Sequence, residues 1–342
     1  MEIEMSKKKF FCVVDTETAT LPFSDEIAQG NAEIKKKIAI AKPLVYDFGY
    51  TICDRAGNIY ERKQFLIAET FCVPSIFNTA YYAEKRPIYL EMLERGETII
   101  KPWREIMEIW LNDIENVDAV GAFNAMFDYK KAIPFTELYI NMLYSPNYYE
   151  WEQLQRKSCR RIAFEKPSKN EDSNFNGEIF RFRGIDYPLF DLWGLATTHL
   201  LNNSTYKTKC LENNMLTASG TFFKTSAETS YRYLCDKYDF IESHTALDDA
   251  IIESFILHKV AQRHAITNGI KFFPFRDLGN TDDYCMRRKV PNRAECEAVY
   301  NAMAAYVDAK IENEIEVSRY VNSIINRINR LAKYAGLEPY TY

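Results

Sequence analysis

Phe10-Phe-Cys-Val-Val-Asp15-Thr-Glu17-Thr18 is the stretch from which the rest of the chain can be read. Its first half, Phe10 to Val14, is a short β-prone apolar run and predicts a buried strand. Two carboxylates follow at its end, two positions apart. Period-two strand geometry sends both to one face. A carboxylate pair on a sheet edge suits hard divalent cations, which take oxygen ligands. D-x-E is also a common surface triplet, so the pair carries weight only through its setting. An apolar strand running straight into two acids is not an ordinary solvated face.

Working outward, Leu44 to Cys53 and Ile59 to Ile67 read as two more strands. Asp54-Arg55-Ala56-Gly57-Asn58 between them has hairpin turn chemistry. Thr20 to Lys42, with its run Lys35-Lys36-Lys37, reads as a polar surface excursion. Ala80 to Glu94 and Trp103 to Ile114 have helical spacing, broken at Gly96 and Pro102. Ala119 to Phe123 is a fourth strand, with a helix from Asn124. Pro188 to Leu192 is a fifth, followed by a helix to about Leu201. Ser226 to Tyr238 and Thr245 to Ile266 read as helices. A hairpin meander continued by strand–helix units implies an α/β fold with a mixed five-stranded sheet flanked by helices.

The expected division is one domain over 1–267 and a helical C-terminal extension over 268–342. The first carries an insertion at about 148–184. That insertion is polar, basic and aromatic: Arg156, Lys157, Arg160 and Arg161 lie close together, flanked by Trp151 and Phe164, and Arg181 and Arg183 follow. Most charge runs are solvated faces. Basic residues beside aromatic ones also suit single-stranded nucleic acid, where phosphates are neutralised and bases stack. In the extension, Ala294 to Ala335 is strongly helical. Val321, Ile324, Ile325, Ile328 and Leu331 form one stripe, and Gly336 stands as the cap.

The net charge of −5 does not advertise a nucleic-acid binder, but a local basic channel matters more than the total. None of the eight cysteines forms a C-x-x-C pair, which argues against a zinc knuckle or redox motif. No signal peptide and no 18-residue apolar span is visible, so a reducing cytoplasm is the expected setting, without membrane association.

Two further sites join the opening pair. Asn124 and Asp128 are four apart where a helix follows a strand, and so share a helix face; the ordinary reading is an N-cap and a solvated acid. His244 precedes a helix and Asp249 lies in its first turns, where an Asp often only answers the macrodipole. Together the four carboxylates would repel without a cation, which implies bound metal. Two ions about 3.5–4 Å apart would stabilise both the attacking and leaving oxygens of a phosphodiester displacement. A neutral His accepts a proton from the attacking water near physiological pH.

These segments resemble the DEDDh branch of the DnaQ-like 3′→5′ exonuclease superfamily, which includes the proofreading ε subunit of bacterial DNA polymerase III, RNase T and oligoribonuclease. Asp15, Glu17 and Thr18 match its D-x-E-T motif. Asn124, Phe127 and Asp128 match H-N-x-x-F-D, and His244 and Asp249 match H-x-x-x-x-D. Val45-Tyr46-Asp47-Phe48-Gly49, Leu189-Phe190-Asp191-Leu192 and Tyr233-Leu234-Cys235 echo further family segments. The likeness covers roughly residues 9–265. Phe123 stands where many relatives have His, Ala19-Thr20 replaces Thr-Gly, and Asp47 replaces a Glu.

The resemblance implies an RNase H-like fold. It implies two Mg²⁺ or Mn²⁺ ions held by Asp15, Glu17, Asp128 and Asp249, with His244 as general base. It implies terminal-nucleotide contacts from Thr16 to Thr18, a wedge against the last base from Leu21, and a substrate-side place for Asn124. The additions give the chain the look of a phage-type exonuclease, with the host cytoplasm then as its setting. Single-stranded DNA with a free 3′-hydroxyl is the expected partner. An exoribonuclease of the same chemistry and a non-catalytic polymerase-associated module are the alternatives, and a homodimer is left open.

Overall fold

Phe10–Thr20 forms β1, the centre of a seven-stranded mixed sheet in the computed structural model. The structure describes residues 9–20, 43–144, 178–263, 289–290, 293–312, 325–326, 328–329, 332 and 336–341. β2 is Pro43–Asp54, β3 Ile59–Ile67, β4 Ile99–Lys101, β5 Ala119–Ala122, β6 Glu178–Phe182 and β7 Ile185–Asp191. Their order is β4-β3-β2-β1-β5-β7-β6. β1, β2 and β3 form an antiparallel meander, β5 runs parallel to β1, and β7 parallel to β5. Among the described residues, eight longer helices follow in chain order: α1 Arg86–Glu94, α2 Trp103–Asp113, α3 Ile133–Leu143, α4 Leu192–Leu201, α5 Ser204–Glu212, α6 Ala227–Cys235, α7 Ala246–Arg263 and α8 Arg293–Glu312.

The α/β class and the five expected strands are present, with two corrections. The sheet has seven strands, not five. β4 is three residues long, too short for any alternation to mark it. β6 lies inside the stretch read as an insertion, so 178–184 is a sheet hairpin with β7 and not an excursion. Phe180 and Phe182 face Trp110 at ring distances of 6.0 and 6.2 Å. Arg181 and Arg183 alternate with them and pair with Asp186 and Glu137. Apolar and basic residues in strict alternation are the pattern of a half-buried strand.

β1 is also longer than its apolar run. Asp15 and Glu17 lie within the strand, because β2 continues to pair with it as far as Thr20↔Pro43. The register shifts between Glu17 and Thr18: Glu17 faces Asp47, Thr18 faces Val45, and Tyr46 is the extra residue. Such bulges re-aim side chains at the end of a strand.

The two faces of β2 take different partners, as strand alternation requires. Phe48 packs edge-on against Trp103 and Trp110 of α2. Asp47, Gly49 and Thr51 face α7. Asp47 accepts the Ala246 amide at 3.0 Å and Thr51 Oγ1 meets Ser254 Oγ. The helix that carries Asp249 is thereby seated on the strand next to the one that carries Asp15 and Glu17.

The described residues gather into two compact units. One falls within Met1–Thr197 and Ser226–Asp277, the other within Thr198–Thr225 and Leu278–Tyr342. The division by contact therefore differs from the one drawn at 267/268, since 198–225 goes with the tail. Thr221 accepts the Val290 amide at 2.8 Å within that second unit. There Val307, Ile325 and Ile328 form a small core, and Gly336 takes φ +64° while Leu337 N–H donates to the Ala332 carbonyl, as a helix-capping glycine does. Among the described residues no helix is long and apolar enough to cross a membrane.

Candidate active site

The acids named from the sequence come together, though they stand on three separate parts of the first unit. Asp15 and Glu17 come from β1. Asp128 comes from the irregular helix after β5, where one turn over Ala125–Phe127 widens into a π turn over Asp128–Ala132 before α3. Such widened turns often mark functional positions. Asp249 comes from the first turn of α7. Glu17, His244 and Asp249 each offer a ligand atom within 4.8 Å of the other two. Asp15 feels Glu253, Asp249, Asp128 and Glu17. Asp128 is buried rather than solvated, and its Oδ1 accepts from Thr16 Oγ1 at 2.6 Å.

Burial and mutual repulsion raise every one of these acids. Loss of solvent is the leading cause throughout. It pushes Asp128 up to about 7, opposed chiefly by the Thr16 hydrogen bond. Burial, then Asp47, bring Glu17 to about 8. Burial, then Glu242 and Glu17, bring Asp249 to about 9. Burial, then Glu253, Asp249 and Asp128, hold Asp15 well above the usual carboxylate range. Asp249 Oδ1 is buried and has no hydrogen-bond partner. Buried polar atoms are rarely left so. Glu17, His244 and Asp249 could hold a cation, and oxygen donors of this kind suit Mg²⁺ or Mn²⁺.

Three further buried acids, none of them placed in the site by the sequence reading, hold the loops that present the others. Asp47 takes the Ala246 amide and both Gln64 Nε2 contacts, so it anchors the start of α7. Asp191 Oδ1 accepts from the amides of Asn124, Ala125 and Trp193 at 3.2–3.3 Å. Glu253 Oε2 accepts from the Phe123 amide at 3.1 Å, and burial then Asp128 hold it well above the ordinary range. Asp47 and Asp191 stand in the segments that carry the family resemblance. Glu253 had one available signal: it lies one helical turn beyond Asp249 within an apolar run.

His244 sits at the rim with φ +53°. Its Nδ1 is 3.6 Å from Glu242 Oε2 and 3.9 Å from Asp249 Oδ2. Desolvation, then Lys85, lower its pKa below the ordinary imidazole value. Tyr82 stacks on its ring. Glu242, Tyr82 and Lys85 are additions to the expected site. No local pattern marks Tyr82 and Lys85, because they reach His244 from far along the chain.

Thr16 is buried against Asp128, so its side chain supports an acid and does not face outward. Thr18 is half-buried on β1. Asn124 is exposed and adopts a left-handed conformation (φ 69°), and its side chain makes no capping hydrogen bond. Asn124 does stand at the N-cap position, but its side chain does not cap the helix; its backbone amide donates to Asp191. Leu21, Arg156, Lys157, Arg160 and Arg161 lie outside the described residues. No protein-family model, no curated protein and no solved structure matches the chain.

Proposed function

We propose that the chain is a metal-dependent 3′→5′ exonuclease of the DEDDh type, acting on single-stranded DNA. One observation carries the reading: Asp15, Glu17, Asp128 and Asp249, from three separate parts of the fold, gather into one acidic cluster in which Asp128 and Asp249 are buried and Asp15 and Glu17 partly so, with an unpartnered oxygen on Asp249 and a part-exposed histidine at its edge. The centre of the sheet supports an RNase H-like fold, with an antiparallel meander continued beside β1 by two parallel strands. A binding-only module has no physical need for four desolvated carboxyl groups and a histidine beside them.

The four acids are the groups that would hold two Mg²⁺ or Mn²⁺ ions. Bound there, the ions supply charge neutralisation for a phosphodiester and a lowered barrier to ionising water. The chain's own part is positioning and proton transfer. Thr16 fixes Asp128 by a short hydrogen bond. Asp47 fixes the first turn of α7, and with it Asp249. Two carboxylate oxygens near Nδ1 favour the His244 tautomer protonated there, which leaves the lone pair on Nε2 to accept a proton from water. A lowered pKa keeps that ring neutral at physiological pH.

The test is degradation of uniformly labelled single-stranded DNA and RNA side by side, with Mg²⁺ or Mn²⁺ and with chelator. The expected products are 5′-mononucleotides, released only with metal and only from an unblocked 3′ end. Asp249→Asn should abolish release. Cleavage of a closed circular strand, or full activity of purified D249N, would overturn the assignment.

A further inference from the structure

His244 occupies a place where the local chain does little to hold a side chain. It takes a left-handed backbone conformation, and its side chain is about a third exposed. What grips it comes from the segment Thr79–Lys85. Tyr82 stacks on the imidazole with ring centres 4.4 Å apart and planes at 14°. Lys85 Nζ donates to the carbonyl of Ser243, the residue before His244, and lies 4.4 Å from the centre of the Tyr82 ring. At its other end the segment is tied to β1, where Thr79 Oγ1 accepts the Thr20 amide at 2.8 Å. One short segment therefore joins the end of the strand bearing Asp15 and Glu17 to the loop bearing His244.

We propose that Tyr82, seated by Lys85, is a positioning residue that fixes the plane of the His244 imidazole. An imidazole on an exposed left-handed residue turns about its side-chain bonds. A proton acceptor must stay within about 3 Å of the water it serves. A stacked aromatic ring removes the rotations that tilt the imidazole, and Glu242 Oε2 lies 3.6 Å from Nδ1. Lys85 prevents the whole loop from swinging, because it holds the backbone next to the ring and not the ring itself. Tyr82 stands beside the acid cluster, and Glu17 adds to burial in raising its hydroxyl pKa. It acts through His244.

The proposal rests on the exonuclease reading for its kinetic consequence alone, so the experiment has two arms. The first is NMR of the histidine ring protons. The chain has four histidines, and H244Q identifies the resonance in question. A stacked tyrosine shifts the His244 ring protons upfield. The shift should persist in Tyr82→Phe and vanish in Tyr82→Leu and Tyr82→Ala. The second arm is steady-state hydrolysis by the same folded proteins. Tyr82→Leu and Tyr82→Ala should lose about 10- to 100-fold in kcat, with KM within about twofold, and Tyr82→Phe should restore turnover. Absence of the upfield shift in the unsubstituted protein overturns the clamp, whatever the activity. Equal kcat in the leucine and phenylalanine variants overturns it too, because packing alone would then suffice. A loss carried by KM would make Tyr82 a substrate contact instead. If the shift is present but the unsubstituted protein hydrolyses nothing, the exonuclease reading falls and the clamp stands.

Discussion

Glu253 and Asp249 are one helical turn apart in α7, yet their oxygens meet different surroundings. Asp249 Oδ1 has no hydrogen-bond partner, whereas Glu253 Oε2 receives the Phe123 amide. Substitution should separate the two. Glu253→Gln keeps an acceptor for that amide and removes an ionisable group from a crowded cluster, so the metal-free protein should melt at the same temperature or higher, most clearly at alkaline pH. Glu253→Ala leaves the buried amide unpaired and should cost about 1–3 kcal/mol in denaturant unfolding. Asp249→Asn, in contrast, should leave the metal-free fold intact and eliminate metal binding in a titration. If Glu253→Gln lost metal as severely as Asp249→Asn, Glu253 would belong among the ligands. His244 differs from both. Its pKa is lowered, so the neutral ring persists to lower pH than usual and is lost only as pH falls through that lowered value. His244→Gln should reduce kcat by about 10²–10⁴ and, at saturating metal, remove the part of the acid limb of the pH–rate profile that comes from the imidazole, with metal affinity little changed. An unaltered acid limb in H244Q would assign the proton transfer elsewhere.

β2 and α7 meet where there is no room for a side chain. A Cβ on Gly49 would stand 2.3 Å from the Ala246 carbonyl carbon and the Leu247 nitrogen, both backbone atoms at the start of α7. Gly49→Ala should push the first turn of α7 off the strand, destabilise the fold by about 1–3 kcal/mol and weaken metal binding, because Asp249 moves with that turn. Gly121→Ala is the comparison: its Cβ would meet the Phe190 ring at 2.4 Å, so it strains the core between β5 and β7 without touching α7. Melting curves and metal titrations on both variants check this, and metal affinity kept in Gly49→Ala but lost in Gly121→Ala would refute it. The same packing explains what could be read in advance. Apolar β-prone runs marked β1, β2, β3, β5 and β7, and four acids with one histidine could be named from short local patterns. The apolar run stops at Val14 and marks a strand end there, yet the hydrogen bonds to β2 continue and keep Asp15 and Glu17 within β1. β4 is too short to carry a period. Tyr82 and Lys85 belong to the site only through tertiary approach, which no local spacing encodes, whereas Glu253 is marked only by standing one helical turn beyond Asp249 in an apolar run.

For the whole molecule, the acidic pocket couples folding to pH and to metal. Asp128, Glu17 and Asp249 are raised to about 7, 8 and 9, and Asp15 and Glu253 stand well above their ordinary range. In the unfolded chain such groups titrate near 4. The folded, metal-free protein therefore holds more protons than the unfolded chain across the interval between those values. Linkage then fixes the sign: where the folded state binds more protons, stability falls as pH rises. The stabilisation is complete below about pH 4 for these groups and is lost as pH climbs through about 7 to 9. A chelated sample should thus show a falling melting temperature from pH 5 to pH 8, opposite to the trend of a protein whose carboxylates are salt-bridged. Added Mg²⁺ or Mn²⁺ should counter the fall, and more strongly at pH 8 than at pH 5, because ligands must be deprotonated to bind and only the folded chain assembles them. Scanning calorimetry over that range, with chelator and with excess metal, gives the two slopes. A melting temperature that rose with pH in chelator would show that the acids are not crowded in the folded protein. A metal-induced gain that did not grow with pH would show that the cation sits elsewhere.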